Sequence, residues 1–366
     1  MHHSDIYPKF LDILHLSIGV SNSLQQPITH PEWKRIFRIA DEQGIVGILY
    51  MGLEKLAKGQ GPQLPLLLQW TGMAQDIRNR NAQLYRLSAQ LTDRFANANL
   101  PSCILKGQGL ALLYPSPYVR TPGDIDIWVD GGRKIVMDYV NKFCPGQVMR
   151  YHHVDFPVFK DVPVEVHFFP SYMKSPLANR KLQTWFQLSA HEQFSNSMSL
   201  PDDLGFINAP TLNFNLVFIL SHLYRHLFSE GIGIRQLLDY YYLLLHTDDQ
   251  QSRVEAARHI DSLGMRRFAR AVMYIMTELF CLPPSHLLFP PDPREGQYLL
   301  HEVLIGGNFG QYDTRLGNKH QESVSHRWLR MTIRNMRFIL HYPSESLCEP
   351  VFRTWFWMQK IIHGIS

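Results

Sequence analysis

The stretch Asp124-Ile125-Asp126-Ile127-Trp128-Val129 restricts this chain more than any other. Its β-branched and aromatic residues favour a strand, and side chains on a strand point alternately to opposite faces. Asp124 and Asp126 therefore share one face, and Ile125, Ile127 and Val129 share the other. An aliphatic face must be buried, so the strand belongs to a sheet with a covered side. A pair of adjacent carboxylates repel each other unless a cation lies between them, which makes the opposite face a candidate site for a hard divalent metal.

The sequence on either side changes period. Residues 1–98 read as helices: one opens at Pro31, a second runs near Ile45 to Ala57, and a third from about Leu66 to Asn97 carries Leu84, Leu87, Leu91 and Phe95 as an apolar stripe. The arginines on the other side of that helix, Arg78, Arg80, Arg86 and Arg94, suit a solvated face or a polyanion. In residues 99–200 the period becomes that of strands. Ser102 to Leu105 is a short buried strand, Gly107 to Tyr114 a turn or two of helix, and Arg133 to Phe143 a further helix. His153 to Phe159 and Val162 to Phe168 alternate about Lys160-Asp161, as in a β-hairpin. From residue 201 to 366 the pattern is helical again, with breaks at Gly231-Ile232-Gly233, Pro283-Pro284, Gly306 to Gly310 and Pro343. The expected fold is α+β: a small mixed sheet flanked by N-terminal and C-terminal helical regions.

Composition narrows the class. Hydrophobic residues make up 45% and charged residues 19%, as in an ordinary folded protein, and a net charge of +4 does not suggest a chain that coats nucleic acid. The four cysteines form no C-x-x-C pair, which argues against a structural zinc site or a disulfide framework and for a reducing cytoplasm. No signal peptide is evident, and apolar runs such as Leu64 to Leu68 and Leu237 to Leu245 are too short or too interrupted to span a bilayer. A cytoplasmic protein with no membrane partner is expected.

The second arm of the hairpin places Glu165 and His167 on one face. Asp124, Asp126 and Glu165 then form a three-carboxylate set on two strands, a hard-oxygen donor set suited to Mg²⁺ or Mn²⁺. Two such ions clamp the attacking and leaving oxygens in phosphoryl or nucleotidyl transfer. Upstream, Lys106-Gly107-Gln108-Gly109 leaves a strand and enters a helix, where glycine admits a phosphate close to backbone N–H groups. It is not a Walker A sequence. Lys106 is either a phosphate ligand or a strand-end cation in solvent. Arg120 is either a second phosphate ligand or the ion-pair partner of Asp124 or Asp126.

Leu-Lys-Gly, then Arg-x-Pro-Gly-Asp-Ile-Asp-Ile, then Val-Glu-Val-His-Phe, resembles the bacterial proteins known as uncharacterised nucleotidyltransferases, distant members of the polymerase-β-like nucleotidyltransferase superfamily. His222-Leu-Tyr-Arg-His226, Gly231-Ile-Gly-Ile-Arg235-Gln236-Leu-Leu-Asp239 and Gly306-Gly-Asn-Phe-Gly310 are similar to that family's later signatures. The resemblance covers about residues 30 to 340. It implies a small mixed sheet in which Asp124 and Asp126 are metal ligands and Glu165 is the third acid. The chain departs from the wider superfamily where Lys106-Gly107 stands in place of the usual phosphate-binding Gly-Ser.

The helical signatures also read without the family. His222 and His226, four apart, share a helix face and suit zinc, a polar cleft wall or ordinary packing, although neither a Glu nor a Cys completes a zinc site. Arg235 and Asp239 most simply form an intrahelical ion pair; a cleft-facing role would direct Arg235 toward phosphate or base. Gln236 and His167 are further cleft candidates. The expected activity is Mg²⁺-dependent transfer of a nucleoside monophosphate from a nucleoside triphosphate to a hydroxyl acceptor, whether a small molecule, an RNA end or a protein side chain. The alternative is a nucleotide- or partner-binding module that keeps the fold without transfer.

Overall fold

The computed structural model describes residues 5–315 and 324–362. Four helices come first: α1 (Tyr7–Ile18), α2 (His30–Glu42), α3 (Val46–Leu53) and α4 (Leu64–Ala96). They lead into a four-stranded sheet made of β1 (Ser102–Leu105), β2 (Ile125–Val129), β3 (His153–Asp155) and β4 (Val164–His167), with α5 (Gly107–Ala111) after β1 and α6 (Gly132–Phe143) after β2. The strand order is β1-β2-β4-β3; β2 and β4 run parallel, and both outer pairs are antiparallel. The sheet is mixed and small, and the class is α+β.

The helix α7 (Pro176–Ser195) and a two-stranded ribbon, β5 (Ser197–Ser199) with β6 (Phe206–Asn208), follow. Then come α8 (Leu212–Ser229), α9 (Ile234–Leu245), α10 (Gln250–Ser262), α11 (Arg266–Phe280), α12 (Pro293–Gly306), α13 (Val324–Met336) and α14 (Pro343–Ile362). Among the described residues, no helix is long and apolar enough to cross a membrane.

Strand alternation decides where everything sits. Ile125, Ile127 and Val129 of β2, with Val164 and Val166 of β4, bury against Leu84, Leu91 and Phe95 of α4 and Val136 and Val140 of α6. The opposite face carries Asp126, Trp128, Glu165 and His167. There Trp128 lies against Phe194, with ring centroids 4.6 Å apart, and against Phe214 of α8. The aliphatic face thus closes one core, while the carboxylate face looks toward the C-terminal helices.

Several expectations change in detail. The hairpin exists, but its strands are shorter than the alternation suggested: β3 ends at Asp155 and β4 begins at Val164, because Pro157 and Pro163 lack the N–H that a longer ladder needs. Asp124 lies just outside β2. The long α7 had no counterpart in the reading of residues 99–200. On α4, Arg78 and Arg94 meet neither solvent alone nor an anion: Arg78 lies over Tyr118, and Arg94 over Phe143 and Phe156. On α13, Arg334 is buried, while Arg337, just past its end, donates to Asp313.

The two glycine-rich breaks clasp each other. Gly231 has φ +124° and Gly310 φ +62°, and a Cβ on Gly310 would stand 2.0 Å from the Glu230 carbonyl oxygen. Only glycine allows these backbones to approach so closely. The contact brings Phe309 and Asn308 beside α9.

Candidate active site

Asp126 and Glu165 are register partners on the parallel strands β2 and β4, so their side chains lie side by side on one face. Asp124, one step before the strand, opens onto the mouth of the same cleft and is exposed. The cleft is narrow. Lys106, Gly107, Asp124 and Asp126 line one wall, and His222, Arg235, Gln236, Asp239 and Phe309 line the other.

Asp126 is buried, and both its oxygens are engaged. Lys106 Nζ lies 2.9 Å from Oδ2, and His167 Nε2 lies 2.8 Å from Oδ1. Burial opposes ionisation, but these two groups outweigh it and hold the carboxyl far below its usual range. Its hydrogen bonds to Asp126 and Glu165 raise His167 against the effect of its own burial. Glu165 Oε2 lies 3.4 Å from both His167 Nε2 and His153 Nδ1, and these neighbours lower its carboxyl despite burial. Asp124 behaves oppositely. Repulsion from Asp126, followed by desolvation, pushes its carboxyl up to about 6. The site thus holds one carboxylate neutralised by the protein and a second whose charge is not balanced.

Lys106 itself has φ +52°, an uncommon conformation for a side chain of its size, and the turn points its ammonium at Asp126. The expected phosphate seat at the helix start is weak, because α5 has only five residues. Gln108 is buried and absent from the cleft wall.

Arg120 pairs with neither Asp124 nor Asp126. Its Nε and a terminal nitrogen donate to the two oxygens of Asp239 at 2.7 and 2.8 Å, and Tyr114 donates a third hydrogen bond to the same carboxylate. This buried fork also removes the expected pair between Arg235 and Asp239, because a bidentate partner satisfies both carboxylate oxygens and a helix neighbour four residues away does not. Arg235 donates to the Thr121 carbonyl at 3.1 Å and stacks over Phe309 at 5.0 Å. Its Nε is buried with no partner, and burial, then Arg120, depress its pKa to about 10. Arg235 thus presents a buried guanidinium with a spare donor to the cleft. Gln236 is held by Gly233 and Asn308.

The sequence reading named His222 and His226, and His222 lines the cleft, but it missed that both join His152 in a histidine layer around Arg225. Arg225 donates to His152 Nε2 at 3.4 Å, His222 Nδ1 at 3.3 Å and His226 Nε2 at 3.0 Å. Accepting from a cation requires neutral rings, and burial with Arg225 nearby lowers all three. His226 also meets Glu230 at 3.0 Å and lies behind the cleft wall, so the His222–His226 pair is the seat of an arginine. The signal was present in the sequence: Arg225 sits inside the His222-to-His226 signature, and His152-His153 precedes the hairpin.

Asp126, Glu165 and His167 each offer a donor atom within 4.8 Å of the others. The donors are two carboxylates and an imidazole, a set that suits Mn²⁺ or Mg²⁺. Among the described residues Asp124 joins no such three-residue group.

A crystal structure titled as an antigenic nucleotidyltransferase-like protein from Paracoccidioides brasiliensis aligns with 58% of this chain and 96% of its own, at 12% identity and a TM-score of 0.36. No curated protein gave a match. A family model described as "Uncharacterised nucleotidyltransferase" matches residues 29–281, a span that contains the sheet, the carboxylates and the cleft-lining part of α9. The chain belongs to the uncharacterised nucleotidyltransferase family.

Proposed function

We propose that this protein transfers a nucleoside monophosphate from a nucleoside triphosphate to a hydroxyl acceptor. The observation that supports it most is the two-walled cleft, with Asp124 and Asp126 on one side, Glu165 beside Asp126 on the neighbouring strand, and Arg235, which has no carboxylate partner of its own, on the other side. Asp124, Asp126 and Glu165 would hold the divalent cations of a two-metal site, Mg²⁺ or Mn²⁺, with His167 fixing Asp126 from behind. Bound there, the cations would neutralise charge on the transferring group and acidify the acceptor hydroxyl. Arg235 and Lys106 bind the phosphates, and Glu165 takes the acceptor proton. The acceptor oxygen bonds to the α-phosphorus as the bond to the leaving pyrophosphate breaks. Incubation of the protein with labelled triphosphates, Mn²⁺ and a cell extract tests this; label entering no acceptor with any of the four nucleotides would refute it.

A second reading is a nucleotide-binding module without turnover. The saturation of Asp126 by Lys106 and His167 favours it, because a carboxylate so satisfied does not need a metal. A bound triphosphate that survives prolonged incubation would support this module.

Two further outcomes are expected. Lys106→Met removes the protein's own counter-cation, so Mn²⁺ alone should bind roughly tenfold more tightly, while a non-hydrolysable triphosphate should bind roughly tenfold more weakly. Calorimetric titration of each ligand checks both directions. The second concerns pH. Cation binding needs Asp124 ionised, and its carboxyl titrates at about 6, so Mn²⁺ affinity should fall by about tenfold per unit of pH below that point. Above it, Asp124 contributes no pH dependence. Asp124→Asn should flatten this slope.

A further inference from the structure

A second cavity, of about 570 Å³, opens between the segment after β4, the start of α7, and α14. This is the size range of small-molecule sites. Val351, Phe352 and Trp355 line one side, Met173 and Tyr151 the other, and no acidic residue contributes to the wall. Two cations do. Arg180 is exposed at the rim, and Lys174 is buried in the wall.

Lys174 is the informative group. Its ammonium lies 4.9 Å from the Tyr172 ring centroid and 4.6 Å from that of Phe352, and among the described residues it donates to the Tyr172 hydroxyl at 3.5 Å. Glu345, at the start of α14, accepts the backbone N–H groups of Lys174 and Ser175 and makes no ion pair with the ammonium. Glu345 acts on this ammonium only at a distance, its oxygens being taken by backbone N–H groups, so the buried charge keeps no direct anionic partner among the described residues. Meanwhile Val351 is 69% exposed and Trp355 43% exposed at the mouth, apolar surface that water covers poorly.

We infer that this cavity is a binding site for a small amphipathic monoanion, an apolar body with one carboxylate or similar head. The head reaches Lys174 and the rim cation Arg180, and the body fills the apolar space against Phe352, Met173 and Trp355. Charge complementarity selects this occupant over a neutral apolar molecule or a second copy of the chain, neither of which would satisfy the ammonium. The site is separate from the carboxylate cleft and stands whether or not transfer occurs. Tyr172 forms the partition between them: Lys174 and Phe352 flank it on the cavity side, and Arg225 and His152 lie 5.2 and 5.0 Å from its ring.

Decanoate and decanol distinguish the possibilities, with binding to the full chain read by tryptophan fluorescence and equilibrium dialysis. Decanoate should bind once per chain, about tenfold more tightly than decanol. Lys174→Met should abolish that preference by weakening decanoate alone. Val351→Glu, at the exposed mouth, should weaken both. Should Lys174→Met not fold, Arg180→Met on the surface should lower decanoate affinity severalfold and leave decanol unchanged. Absence of saturable decanoate binding would overturn the inference. So would equal binding of the two probes, or self-association of the chain that Val351→Glu disrupts while decanoate has no effect.

Discussion

Asp124→Asn and Asp126→Asn are both expected to lower transfer by about 10²–10³-fold or more, but with opposite consequences for stability. Asp126 is buried and joins Lys106 and His167. The amide would leave an ammonium and an imidazole facing a neutral group, at a cost of about 1–3 kcal/mol, moderated because Lys106 can turn toward Asp124 or solvent. Asp124 is exposed, and its charge is held against Asp126, which is why its carboxyl rises to about 6. Removing that charge relieves repulsion, so the variant should be at least as stable as the parent near neutral pH. The sign follows from linkage: between about 4 and 6 the folded protein holds a proton that the unfolded chain has released, and above that range the ionised pair is strained. Chemical denaturation and calorimetry with Mn²⁺ separate the effects. A fully active Asp124→Asn variant with unchanged Mn²⁺ affinity would remove the carboxylates from the mechanism.

The larger stability effect should come from a pair with no part in the chemistry. Asp239→Asn would leave Arg120 buried without its counter-charge, and breaking such a pair costs about 3–5 kcal/mol. The pair joins the segment leading into β2 to α9, and Tyr114 of the preceding loop shares it. The two walls of the cleft are therefore locked together by this fork. Replacing both members, as in Arg120→Met with Asp239→Leu, should cost distinctly less than the single change, because no charge is left alone. The midpoint of urea unfolding reports all three. A single variant that loses under about 1 kcal/mol would mean that water reaches Arg120 and solvates the charge that Asp239 had balanced.

Much of this was legible in local pattern. Period-2 alternation in Ile125–Val129 and in Val164–His167 placed the carboxylates on one face, because strand geometry leaves no choice. The same alternation identified the aliphatic face that α4 and α6 cover. Helix boundaries near Pro31 and Gly231 followed from the conformations those residues permit. The hairpin ends were less legible, since loop prolines trim a ladder in a way that hydrophobic alternation does not report.

Partner choice was not legible. The sequence offered Arg120 two carboxylates, Asp124 and Asp126, but it took Asp239, 119 residues away, which offered both oxygens in a buried setting. Arg235 and Asp239 had the spacing of an ion pair, but spacing states proximity and not which competitor wins. His222 and His226 read as zinc ligands, a polar cleft wall or ordinary packing, and both accept from Arg225, an arrangement that needs His152 from another element.

Lys106-Gly107 shows the division most clearly. The sequence by itself determined that a lysine stands at the turn before the carboxylates, on a strand whose chemistry is set by Asp124 and Asp126. Only the tertiary structure decided that this lysine closes on Asp126 at 2.9 Å while Arg235, from α9, is left facing the cleft. Alternation and turn chemistry act over a few residues and are written in local order. Charge pairing between distant elements depends on burial and on which groups compete for each oxygen, and those are fixed only when the chain has folded.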